Sequence, residues 1–150
     1  NLYRNIEWPV VVMLAAMIPV GQALETSGIS LNIANFISTT TAGMGLPWLI
    51  LMVLVITMFV SDIVNNAATA VIMAPIAANL AIQVGQPVEP FLMAVAVGAS
   101  CAFLSPIGHQ CNTLVMAPGN YKFGDYWRLG LPLECVIVAI SIPMILFVWT

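Results

Sequence analysis

Ser61, Asp62, Asn65, Asn66 and Thr69 fall within one nine-residue stretch, between two runs of apolar sequence. Their side chains offer hydroxyl and amide oxygens and a carboxylate. An ion stripped of water in a bilayer needs oxygen in exchange, and such groups supply it, mostly without a strong fixed charge. A second cluster follows at Ser105, His109, Asn112 and Thr113, threaded by Pro106 and Gly108. Glycine lets backbone approach closely, and proline frees a carbonyl from helical bonding. Helix N-termini at Ala67 and near Thr113 would point partial positive charge into the same space, which favours an anion. A sodium ion paired with an anionic solute follows from that chemistry.

Each residue also has a plainer use. Asn65 and Asn66 suit the cap of a helix beginning at Ala67, and Asn112 and Thr113 suit another. Thr69 can return its hydroxyl to the carbonyl one turn back. Asp62 reads as a cation partner, a proton-coupling group or the wall of a watery entrance, because a carboxylate is costly inside a membrane. Histidine is the side chain suited to a switch near neutral pH, and His109 either meets an anion or holds the broken backbone in shape. Glu25, Glu89, Asp125 and Glu134 read as peripheral.

Composition narrows the class. The chain is 61% hydrophobic and 6% charged, with three Lys+Arg against six Asp+Glu. A soluble domain carries roughly a quarter charged residues, so this one belongs in lipid. Nucleic-acid binding needs basic patches that are missing here. The three cysteines form no disulfide framework, and their spacing fits no zinc site. One histidine, no glycine-flanked serine elbow and no His–Glu helix pair leave hydrolysis without its parts, so an enzyme is not expected. Asn1 opens the chain without a basic leader, and Phe147–Thr150 closes it on apolar sequence. A fragment without a signal peptide is expected.

These residues must be positioned by helices. A membrane helix is predicted over 8–25, opened by Trp8–Pro9, and an amphipathic interfacial segment over 29–45. A hairpin follows over 47–84, with its tip at 61–66. Its first limb, Pro47–Val60, rises only about 21 Å against a hydrocarbon core of about 30 Å. A re-entrant hairpin is therefore expected; two ordinary spans joined by a loop are the alternative. A broken helix over 90–118 comes next, stopping at Ser105 and resuming through Leu114–Ala117. A second membrane helix is expected over 129–148. Arg4, Lys122 and Arg128 then share one face, which the positive-inside rule makes cytoplasmic in a multi-pass plasma-membrane protein.

Asn65–Asn66–Ala67, Ala68–Thr69–Ala70, Pro75, the stretch Ser105–Asn112 and the loops Ala117–Gly119 and Gly130–Pro132 resemble the second half of the divalent anion:sodium symporter family. Its relatives include citrate, sulfate and arsenite permeases. The resemblance implies an inverted-repeat transporter in which a hairpin tip faces an unwound helix. It makes Asn66 the sodium-site asparagine, with backbone oxygens around Ile63, Asn65 and Gly108. Ala67 stands where the family has a threonine touching substrate carboxylate, and Gln110 where its substrate loop has a proline. The solute is thus expected near Ala67, Thr69, His109, Gln110, Asn112 and Thr113. A homodimer is also implied.

The chain is accordingly expected to be an all-α membrane protein. It reads as the C-terminal half of an inverted-repeat transporter, with a re-entrant helical hairpin and a discontinuous helix. Its expected work is secondary active transport of a small anion, with sodium as coupling ion, no cofactor, and a missing N-terminal repeat as partner. A proton-coupled or metalloid permease and a structural membrane subunit are the competing readings.

Overall fold

The computed structural model describes residues 8–41 and 43–149, apart from the side chains at 8–10, 13, 14, 17, 24 and 110. Arg4 and the side chains of Trp8, Pro9 and Gln110 lie outside the described residues. Among the described residues there are helices and no strand. In chain order these are α1 (Trp8–Thr26), α2 (Ile29–Thr40), α3 (Leu46–Ile63), α4 (Asn66–Gln83), α5 (Glu89–Ala99), α6 (Gln110–Met116) and α7 (Tyr126–Trp149). A 3-10 turn at Phe123–Asp125 leads into α7.

Turn chemistry sets several boundaries. Pro47 lies in the first turn of α3, where its missing amide has no helical partner to lose. After α4, Gln86 N–H donates to Ala81 O at 2.9 Å and Gly85 N–H to Ile82 O at 3.2 Å. That is the paired closure of a helix end which needs a left-handed residue, and Gly85 supplies it with φ of 67°.

The chain packs around α5, which lies against α3, α4 and α7, while α4 also carries α1 and α2. Ile50, Leu54, Leu80 and Phe91 are fully buried between them. Lipid tails are as apolar as leucine, so helices in a membrane associate through close fit. Small residues provide it here. A Cβ on Gly98 would lie 2.9 Å from the Leu54 carbonyl oxygen and from Thr57 Cβ. On the flank, α2 buries Ser30 and Ala34 one turn apart, with Asn79 Nδ2 donating to Ser30 Oγ at 3.3 Å. Its 12 residues rise about 18 Å.

Both interruptions differ in extent from the sequence expectation. Helix α3 continues through Ser61 and Asp62 to Ile63, so each hairpin limb has 18 residues and rises about 27 Å. The expected fourteen-residue limb and the tip at 61–66 are corrected to a turn of Val64 and Asn65 alone. The polar pair stays helical because its side chains find partners across the fold. With α7, these limbs are long and apolar enough to cross a membrane by length and composition. The second break moves the other way: α5 stops at Ala99 instead of Leu104, and α6 resumes at Gln110.

Candidate functional site

The hairpin turn and the helix break lie against each other. Ser61, fully buried, has Oγ 2.8 Å from the Ala99 carbonyl, to which it donates, and 3.0 Å from Asn66 Oδ1. Asp62 Oδ1 accepts the Leu104 N–H at 3.0 Å, and the Asp62 carbonyl accepts from Ser105 Oγ. Gly108 closes the contact: a Cβ there would sit 2.6 Å from the Ser61 carbonyl oxygen and 2.7 Å from Ala102 Cβ. Only a residue without a side chain permits that approach.

Unwound backbone at 100–109 must satisfy its own polar groups. Asn112 Nδ2 donates to Ala102 O at 2.9 Å and Ser105 O at 3.1 Å, and Thr113 Oγ1 to Pro106 O at 2.6 Å. Ser105 Oγ accepts from the amides of Ile107 and Gly108. Gln110, Asn112 and Thr113 thus belong to α6 and not to the break, because their first turn is anchored by His109. The His109 Nδ1 caps α6 by accepting the Cys111 N–H at 3.2 Å, and the residue is exposed. Through that cap His109 shapes the backbone where the break ends.

At the hairpin, Asn65 Oδ1 accepts the Ala68 N–H at 2.8 Å and so caps α4. Replacing Asn65 by alanine should cost about 1 kcal/mol, whereas aspartate should keep most of the cap. Thermal unfolding in detergent checks this; equal midpoints for Asn65→Ala and the parent would remove the cap from the account. Asn66 is directed at Ser61 instead, and Ala67 is half-buried beside it. Thr69 is fully buried, and its Oγ1 has no hydrogen-bond partner. It does not return its hydroxyl to the preceding turn. The Ile63 side chain is exposed, so any part it plays falls to its backbone.

One residue was missed. Glu134, read as peripheral, is half-buried with Oε1 unpartnered. It faces the Phe103 amide and is within electrostatic reach of Asp62. The signal was Gly130, one turn earlier on the same helix face. A Cβ on Gly130 would lie 2.5 Å from Phe103 O, so α7 rests its backbone on the break there.

Chemically, the region offers neutral oxygens, the buried carboxyl of Asp62, the half-buried one of Glu134 and closely approached backbone. Among the described residues, no group of three or more His, Cys, Asp or Glu could hold a metal ion. A hard cation here would draw on hydroxyl, amide and carbonyl oxygens, with the Asp62 carboxylate beside them.

Comparison with known proteins gives this geometry a setting. A family model described as "Citrate transporter" matches residues 1–98 and 41–150. "Uncharacterized transporter YfbS" of Escherichia coli (strain K12) is 36% identical over 146 residues, 97% of this chain and 24% of its own length. "Probable sodium/sulfate cotransporter 3" of Chlamydomonas reinhardtii is 32% identical, covering 92% of this chain and 16% of that protein. "Sodium-dependent high-affinity dicarboxylate transporter 3" of Caenorhabditis elegans is 30% identical, covering 93% of this chain and 25% of that protein. The chain spans a quarter or less of the curated relatives it matches here. Apolar helices of spanning length and transporter relatives together make it part of a multi-pass membrane protein. Matched along its whole length by that family model, the chain belongs to the citrate-transporter family, in keeping with the divalent anion:sodium symporters that its motifs resemble.

Proposed function

We propose that this chain is the C-terminal repeat of a sodium-coupled secondary active transporter for small anions, such as di- or tricarboxylates or sulfate. The contact between the hairpin turn and the helix break, sealed at Gly108, carries this reading. Helix α5 rises about 16 Å to reach the break, and α6 about 10 Å away from it. That puts the break well inside a slab of about 30 Å. Irregular backbone is tolerated at such depth where protein covers it or a hydrated cavity meets it. The hairpin is then re-entrant, with its turn held against the break at the substrate site.

In this reading sodium takes Asn66 and backbone oxygens around Ile63, Asn65 and Gly108. The anion lies toward Ala67, Thr69, His109, Gln110, Asn112 and Thr113. Thr69 supports the assignment, since a buried hydroxyl without a partner is costly unless something comes to meet it. The N-terminal repeat supplies the other wall, and closing either side of the joint site gives alternating access. The cytoplasmic side, in this reading of a plasma-membrane protein, is the end that carries Lys122 and Arg128, both exposed around the α6–α7 connection, which the positive-inside rule supports. As the family resemblance implies, the proposed assembly is a homodimer.

The full-length transporter in proteoliposomes tests this with labelled citrate, succinate and sulfate, in sodium or in choline at fixed pH. Saturable uptake of one anion class in sodium alone is expected. Asn66→Leu should lower it by roughly tenfold or more, the equivalent of about 1.4 kcal/mol of lost binding. Equal uptake in choline would remove sodium from the scheme, and an unaffected Asn66→Leu would remove the site.

A further inference from the structure

We propose that the cavity between α6, the helix break and the start of α7 binds an anionic phospholipid, one acyl chain inside it and the headgroup phosphate at Lys122 and Arg128. The cavity has a volume of about 300 Å³, the size at which small-molecule sites begin. The break contributes Phe103 to its lining, α6 contributes Asn112 and Val115, and α7 contributes Leu129, Gly130 and Leu133. Two of its polar side chains are already engaged within the protein. Tyr126 OH donates to the Asn112 carbonyl at 2.7 Å, and Asp125 Oδ2 accepts the Lys122 N–H at 2.8 Å. A mostly apolar lining with few polar partners left to offer favours hydrocarbon over water.

Depth and charge select the occupant. With 24 residues, α7 rises about 36 Å against a hydrocarbon core of about 30 Å. The charged residues stand at its start, so its first turn reaches the headgroups. Leu129 to Leu133 follow at about 5–10 Å along the helix, the level of the upper acyl chain. Tyr121, which lines the cavity, is exposed, and so are Phe123 and Trp127 near it in sequence. Aromatic side chains gather in this way at a membrane interface. Lys122 follows Tyr121 and Arg128 precedes Leu129, both cations being exposed. They are the only Lys or Arg among the described residues, and neither is paired there with a carboxylate. Basic residues beside a cavity between membrane helices recognise anionic headgroups. A zwitterionic lipid brings the same chains without the net charge, and binds more weakly.

Native mass spectrometry of the full-length transporter in detergent reads the site without any transport. It is titrated with phosphatidylglycerol or with phosphatidylcholine of the same acyl chains. Phosphatidylglycerol should bind about fivefold tighter or more, and each of Lys122→Gln and Arg128→Gln should weaken it by about fivefold. Leu133→Trp fills the cavity from α7 and should reduce bound phosphatidylglycerol by about fivefold or more, roughly the loss of one charge contact. Phe147→Trp adds bulk at the exposed far end of α7 and should bind as the parent does. Equal binding of the two lipids, or an undiminished preference in the charge variants, overturns the proposal. So does phosphatidylglycerol binding that survives Leu133→Trp. Should that variant fail to fold, Val115→Trp fills the same space from α6 and decides in its place. Absence of any bound lipid overturns the proposal too, and gives the cavity to another part of the full-length protein.

Discussion

Gly108→Ala in the full-length transporter should cut anion uptake roughly tenfold or more, because the cost of overpacking is about 1–3 kcal/mol and about 1.4 kcal/mol is a factor of ten. The added methyl has nowhere to go. It would meet the Ser61 carbonyl at 2.6 Å, Ala102 Cβ at 2.7 Å and Asp62 Cα at 3.1 Å. Two of these are backbone atoms of α3 and cannot rotate aside, so the break must lift off the hairpin. Gly124, with nothing within 4 Å of its Cβ position, is the matched control, and its alanine variant should transport normally. Equal uptake by both variants would mean that the close approach at Gly108 has no bearing on transport.

Asn112→Leu should be the most destabilising single change in the break. Its amide nitrogen serves two carbonyls, Ala102 O and Ser105 O, which no other side chain of the described residues reaches. A buried acceptor left unmade costs about 1–3 kcal/mol, so the two together put the loss at roughly 2–6 kcal/mol. Thr113→Val removes a single bond, to Pro106 O, and should cost about 1 kcal/mol. Unfolding midpoints in detergent compare the two. A shift for Asn112→Leu no larger than that for Thr113→Val would show that the break is held by other contacts.

The parts of this arrangement that were legible in sequence are those written in local chemistry. Pro47 marks the start of α3, Gly85 the end of α4, and Asn65 the cap between the hairpin limbs. The break was legible from Pro106 and Gly108 but its beginning was not, because Cys101–Leu104 is as apolar as the helix before it. Helix α5 ends there for reasons held elsewhere in the chain: Ser61 takes the Ala99 carbonyl, Asn112 the Ala102 carbonyl and Asp62 the Leu104 amide. The same partners keep Ser61 and Asp62 helical, where their polarity suggested a loop. Glu134 was hidden by position: five residues past Leu129 it reads as a helix end near water. The packing of Gly130 on Phe103 turns that face inward.

Val64 and Asn65 give the hairpin no slack at its turn. Its limbs cannot slide past one another, so drawing α3 along α5 carries α4 with it, together with the Asn79–Ser30 contact. Any swing must be absorbed at the opposite end, in 43–45 and 84–88. Gly43 and Gly85 adopt positive φ there, and a space of about 280 Å³ opens between Thr41, Leu49, Val84 and Gln86. Were the hairpin to swing, it would act as a stiff lever with its fulcrum at the base, and the polar turn at the far end would travel the widest arc.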